Sequence, residues 1–272
     1  MHEGIFGSSR MKSIRKAAEV LRLLADPPHE MSVADVARAL RVTASNASRI
    51  LAELRDAELL YQDPATRRYR PGPLAMRLAA GFQQTTAILD CIQETMPQLV
   101  GRTRHTAWAG VLDGADVVAL RTQHGGYPVR FDIELGRRLP AHAAAMGKAL
   151  LALLPDDEIR MRLRGKLQPT TPRTIVTMPA LLAEIASIRT RGYAISDQEL
   201  FLGIKSIAIA FGAQSGQGAV ALSLSFPMIA VDSQAERSLV TALLETGRGV
   251  DIRIGDARGR TLPETDPIRA TK

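Results

Sequence analysis

The hydrophobic positions change period along the chain, and the changes mark its parts. Residues 12–25, KSIRKAAEVLRLLA, carry Ile14, Ala17, Ala18, Leu21 and Leu24 at helical spacing, which predicts an amphipathic helix. Asp26-Pro27-Pro28 stops it. The segment MSVADVARAL predicts a second helix. Ser32 is its N-cap, Asp35 takes the capping-box place, and Val33, Val36, Ala37 and Leu40 form the buried stripe. Arg41-Val42 turn the chain. Thr43 then caps a third helix, TASNASRILAELRDAE, whose Ala47, Ile50, Leu51 and Leu54 face inward.

After residue 58 the period shortens. Leu59-Leu60-Tyr61 reads as a short strand, Asp63–Thr66 as a turn, and Arg68-Tyr69-Arg70 as the returning strand of a hairpin. Pro71-Gly72-Pro73 is a break, and the first domain is expected to end there, spanning residues 10–72. A connecting helix is expected over 73–84 and a second domain over 85–254. That domain opens on a helix at 85–103 carrying Ile88, Leu89, Ile92, Met96 and Leu99. Apolar strands at 106–112 and 115–121 flank the turn Asp113-Gly114. A small-residue helix follows at 142–153, with further helices near 156–164 and 179–191. Strands are expected near 193–196, 204–211 and 218–226, and a last helix at 233–249. Strands at hairpin-like spacing between helices point to an α+β fold, not a doubly wound sheet. Residues 1–9 and 255–272 read as loose tails.

Composition narrows this. Apolar residues make up 46% but aromatics only 4%, so the core must be aliphatic. The net charge of +7 suits a polyanionic partner. Residues 1–80 hold 13 Lys/Arg against 9 Asp/Glu, and the rest of the chain 22 against 19, so positive charge is denser at the N-terminal end. Cys91 is the single cysteine, which rules out an intrachain disulfide and fits a cytoplasmic location. There is no apolar run of about 18 residues, so no membrane partner is expected. The start, MHEGIFGSSR, lacks the apolar centre of a signal peptide.

Two short helices, a tight turn and a basic hairpin form a winged helix-turn-helix, whose second helix enters the major groove of DNA. The apolar stripe of that third helix is used for packing. Double-stranded operator DNA would therefore meet Thr43, Ser45, Asn46, Ser48 and Arg49: Asn suits adenine and Arg suits guanine or phosphate. Arg67, Arg68 and Arg70 of the hairpin would reach phosphates or the minor groove.

Catalytic signatures are missing. The histidines, His2, His29, His105, His124 and His142, show no i, i+4 pair for a zinc helix, and no metal site is expected. There is no G-x-S-x-G elbow, no phosphate-binding G-x-x-x-x-G-K loop and no dinucleotide fingerprint, so no cofactor and no catalytic residue is expected. The alternative reading is an enzyme in the C-terminal domain, with the N-terminal domain as a protein-interaction module.

Eight blocks resemble the IclR-type bacterial regulators in that family's order: SIRKAAEVLRLLA, SVADVARALRVTASNASRILAELRDAELL, RRYRPGPLAMRLA, VLDGADVVAL, LGRRLPAHAAAMGKALLA, IRTRGYAISDQE, GIKSIAIAF and VALSLSFP. The resemblance covers about residues 11–250. It implies a linker helix, a GAF-like α/β effector-binding domain, and a homodimer or dimer of dimers. It implies a repressor or activator controlled by a small organic acid, an aromatic acid being one candidate. Alternation puts Ser223 and Ser225 on one strand face and Leu222 and Leu224 on the other. The resemblance turns those serines toward an effector pocket and adds Ser206, Asp197 and the turn Ala145-Met146-Gly147. Family members often carry Cys in place of Ser206, paired acids in place of Ser196-Asp197, and a smaller or polar residue in place of Trp108. A lone Trp reads first as a core residue; the second reading of Trp108 is that it narrows the pocket or stacks on a ligand ring.

Overall fold

A computed structural model describes residues 6–84, 87–128, 132–165, 167–212 and 218–254. The chain divides into two compact units, Met1–Thr85 and Thr86–Lys272. The tail expected at 255–272 lies outside the described residues.

The first unit contains α1 (Phe6–Ala25), α2 (Val33–Leu40), α3 (Ala44–Asp56), β1 (Leu60–Gln62), β2 (Tyr69–Pro71) and α4 (Pro73–Gln84). Helix α1 begins inside the expected N-terminal tail, because no proline interrupts Gly7–Arg10 and the ladder runs on. The core is aliphatic: Val20, Leu24, Val36, Ala47, Ile50, Leu51, Leu54 and Leu60, with Tyr69. All four residues predicted on the inner face of α3 are in it. The stripe of α1 is Ala17, Val20, Leu21 and Leu24. Ile14, placed on that stripe by its spacing, is 69% exposed, since packing begins only at Ala17.

Local chemistry sets the helix ends. The Asp35 backbone N–H donates to Ser32 Oγ (3.2 Å), and the Asp35 carboxylate accepts from the Ser32 backbone N–H (3.0 Å) and hydroxyl (2.7 Å). These bonds hold the Asp35 carboxyl below the usual carboxylate range. Arg41 adopts a left-handed φ of 51°, and Val42 N–H donates to Ala37 O at 3.0 Å, which closes the turn. Thr43 Oγ1 accepts from Asn46 N. The hairpin β1–β2 is stitched to the segment before α2 by paired Met31 and Tyr69 backbone bonds. Gly72 N–H donates to Leu59 O (2.8 Å) and Leu74 N–H to Glu58 O (3.1 Å). These bonds draw α4 into the first unit, so the compact boundary falls later than the Pro-Gly-Pro break.

The second unit runs α5 (Ala87–Thr103), β3 (Thr106–Asp113), β4 (Asp116–Gln123), β5 (Arg138–Pro140), α6 (Ala145–Leu151), α7 (Asp156–Arg162), α8 (Met178–Arg191), β6 (Ala194–Asp197), β7 (Ile204–Phe211), β8 (Val220–Pro227) and α9 (Ser233–Ile254). Its antiparallel sheet has the order β5-β4-β3-β8-β7-β6. Helices α5 and α9 cover one face through Leu89, Ile92, Leu222, Leu224 and Leu243. Helices α6 and α8 cover the other through Leu150, Leu181, Ile185, Ala208 and Trp108. Both faces of the sheet are therefore covered by helices. The three-residue β5 was not expected. Helix α6 starts later than the predicted 142, because Ala143 and Ala144 N–H both donate to Pro140 O in a turn.

Two buried histidines make this unit sensitive to acid. His142 Nε2 lies 3.1 Å from Gln168 O and must carry the proton, while Nδ1 has no partner. Burial pushes the pKa of His142, and of His105, below the ordinary 6.5. Below 6.5 the unfolded chain binds protons that the folded chain refuses, so stability is lost as pH falls from there toward the lowered folded values. The urea midpoint should drop between about pH 7.5 and about pH 5.5, and His142→Gln should flatten the slope. The same pH dependence in the wild type and in His142→Gln would contradict this account.

Candidate functional site

The first unit presents a polar surface built on α3 and the hairpin. With Ala47, Ile50, Leu51 and Leu54 buried, the opposite face of α3 shows Ser45, Ser48 and Arg49, all exposed, and the half-buried Asn46. Thr43 is occupied as a cap, and its Oγ1 also lies 3.3 Å from Ser45 Oγ. The hairpin arginines are not equivalent. Arg70 pairs with Asp63, whose carboxylate also accepts the Ala65 and Thr66 N–H groups of the turn. Arg68 lies 3.5 Å from Glu30 and is half-buried. Arg67 sits at the tip with φ 59°, exposed and without an ion pair among the described residues. Arg49 is likewise exposed and unpaired among them.

The second unit contains a cavity between the sheet and α6. It is lined by Trp108, Ser196, Ser206, Ser223 and Ser225 from the sheet and by Ala144, Ala145 and Met146 at the start of α6. Ile133, Leu139, Leu200, Phe201 and Ile204 complete the walls. Strand register explains the convergence. One cross-strand row runs Ser196–Ser206–Ser225 over β6, β7 and β8, and the next runs Ala208–Ser223–Trp108–Thr122 over β7, β8, β3 and β4. Ser223 and Ser225 are 2% and 8% exposed, so they do not face water. Ser206 and Ser225 Oγ lie 2.9 Å apart, and Ser196 donates to Ala143 O at 2.7 Å. The free space between these walls is small. That is room for about one water.

Six of the eight residues expected around a pocket are brought together: Trp108, Ala145, Met146, Ser206, Ser223 and Ser225. Two are not. Gly147 is turned against the chain before α6, where an added Cβ would stand 2.3 Å from Ala141 Cα and O. Asp197 follows Ser196 by one residue on β6, so period-2 alternation carries it to the other face. There it lies 3.6 Å from Arg173 and 3.8 Å from Lys205. Ser196 is the cavity residue of that strand, and the same alternation was the signal for it.

The outer wall, residues 198–204, is held from two sides. Lys148 of α6, 1% exposed, donates to Glu199 Oε1 at 2.5 Å. The Thr170 and Thr174 hydroxyls donate to Glu199 O at 2.6 Å, and Thr171 to Gln198 O at 2.7 Å. The chain just before Leu200 and Phe201 is thereby anchored. Among the described residues no cluster of His, Cys, Asp or Glu is placed to hold a metal ion. No described helix is long and apolar enough to cross a membrane.

Known proteins match both units. The model of the IclR helix-turn-helix domain matches residues 13–64, and that of the bacterial transcriptional regulator IclR C-terminal domain matches residues 82–252. The HTH-type transcriptional regulator XynR of Escherichia coli is 27% identical over 249 residues, covering 90% of this chain and 98% of XynR. The crystal structure of an IclR transcriptional regulator from Alicyclobacillus acidocaldarius superposes with a TM-score of 0.78 at 26% identity, over 89% of this chain and 98% of that one. An IclR homolog from Microbacterium hydrocarbonoxydans, crystallised with 4-hydroxybenzoate, shares the fold: TM-score 0.73, 21% identity, 90% and 100% coverage. With helix-turn-helix and C-terminal domain both matched in order, the chain belongs to the IclR family of bacterial transcriptional regulators.

Proposed function

We propose that this regulator is switched by a small organic acid, aromatic acids included, seated between α6 and the serine-bearing face of the sheet. The observation that carries this reading is the burial of Ser223 and Ser225, with the half-buried Ser206 beside them, around a shared gap inside an otherwise apolar layer. Buried hydroxyls without full partners are costly in a core and useful in a binding site. The relative crystallised with 4-hydroxybenzoate supports the aromatic class. A ring does not fit the gap as it stands, so Leu200 and Phe201 must move on binding, and their movement is the coupling step. Pairing of two or four copies would place two reading helices on two half-sites of operator DNA. The effector then shifts the population between pairings that fit the operator and pairings that do not. A thermal-shift screen of small organic acids on the full chain tests this, since bound ligand raises Tm. No stabilisation by any acid, 4-hydroxybenzoate included, would remove the reading.

On the DNA side, the unpaired cations carry the contacts: Arg49 reads a base and Arg67 holds a phosphate. Arg49→Ala should cost about 1–3 kcal/mol at the preferred site and relax sequence preference. Arg67→Ala should weaken all sequences alike and lower the salt slope by about 1. Arg70→Ala should do less, because Asp63 already neutralises Arg70. Equal losses for Arg67→Ala and Arg70→Ala in a salt titration would reject this ranking.

A further inference from the structure

Trp108 stands on β3, 0% exposed, against the cavity, and its indole N–H has no acceptor among the described residues. An indole nitrogen only donates, and a buried one ordinarily finds a partner. Its two cross-strand neighbours are also uncommitted. Thr122 Oγ1 is buried without a partner, and the Ser223 hydroxyl makes no hydrogen bond among the described residues. The remaining hydroxyls around the gap are engaged: Ser196 with Ala143 O, and Ser206 with Ser225. Among the described residues no charged side chain lines the cavity. Two buried donors without a partner among the described residues, Trp108 Nε1 and Thr122 Oγ1, thus sit side by side on adjacent strands, and Trp108 is the one of the two that lines the cavity.

We infer that the cavity selects ligands carrying an sp² oxygen, of a carboxylate or a carbonyl, that accepts the Trp108 indole N–H. Trp108 is then a specificity-determining residue. A ligand of the same shape without that oxygen leaves the buried donors unpaired and is rejected. This rests on the reading of the cavity as the effector site.

The chain has a single tryptophan, so the 15N-labelled full-length protein gives one indole resonance. Benzoate, benzamide and toluene are titrated as probes of matched shape. Benzoate, or benzoate and benzamide together, should move the indole proton downfield, and toluene should not. The first pattern assigns a charged acceptor, the second a neutral carbonyl. Benzoate should bind about tenfold more weakly to Trp108→Phe. The same loss is expected when benzothienylalanine, which keeps the ring shape and lacks the N–H, replaces Trp108 biosynthetically; this arm holds if Trp108→Phe fails to fold. Affinities within about twofold between wild type and the N–H-free protein would overturn the role of Trp108 and leave the effector cavity standing. Neither thermal shift nor indole shift with benzoate or benzamide in the wild type would overturn this inference; the cavity reading itself falls only if the wider screen of organic acids also gives no stabilisation.

Discussion

Lys148→Met should destabilise the second unit by about 3–5 kcal/mol, and Glu199→Leu on top of it should return much of the loss. Lys148 lies 2.5 Å from Glu199 and 3.6 Å from Glu184, with 1% of its side chain exposed. Burial already pushes the Glu199 carboxyl above its ordinary value, against the pull of the Lys148 charge. Met fills similar volume, so the variant removes the charge with little cavity. Glu199 is then left buried and uncompensated, which is the expensive case. The sign with pH follows. A carboxyl whose folded pKa is raised binds a proton that the unfolded chain releases, so stability falls as pH rises above the ordinary value of 4.5. Lys148→Met should therefore sit closest to the wild type near about pH 5 and furthest near about pH 8. Removing the carboxylate in the double variant should abolish that slope. Urea denaturation at two pH values measures both effects. A Lys148→Met loss under about 1 kcal/mol, or one that does not depend on pH, would show that the pair is not the tie between α6 and residues 198–204.

The ease of reading this chain from sequence varied with how local the deciding forces were. Ser32, Asp35 and Thr43 cap helices through atoms three residues away, so their roles stand in the sequence itself. The inward residues of α3 follow from one periodicity and one buried face. Ser223 and Ser225 were harder. Alternation separates them from Leu222 and Leu224, but both faces of β8 are covered, one by α5 and α9 and the other by α6 and α8. Which face holds a cavity is a tertiary fact, and only the family resemblance pointed to it. Ile133, Leu200 and Phe201 had no local signal, since segments far apart in sequence bring them to the same wall. Asp197 lies one residue off the cavity row, and alternation separates it from Ser196 without telling which of the two faces the cavity.

Gly147→Ala should be the most damaging conservative change around the cavity. Position 147 is helical, where alanine is ordinarily favoured over glycine by up to about 1 kcal/mol. Here the new methyl would stand 2.3 Å from Ala141 Cα and O and 2.7 Å from its carbonyl carbon. All three are backbone atoms, and the segment that holds them is fixed by Ala141 N–H to Ala115 O and by two bonds from Ala143 and Ala144 to Pro140 O. The clash is relieved only by lifting α6, which costs about 3 kcal/mol or more. That movement would also displace Ala144, Ala145 and Met146 from the cavity wall, so effector affinity should fall along with stability. Gly101→Ala and Gly249→Ala are the controls: both sit in helices, and a Cβ there meets nothing within 4 Å. They should be neutral or stabilising. Denaturation followed by Trp108 fluorescence reports on this unit alone, because the tryptophan is single. A Gly147→Ala midpoint equal to that of Gly249→Ala would mean that α6 is free to shift, and the cavity wall would then be set by Lys148–Glu199 and the threonines, not by the close approach at Gly147.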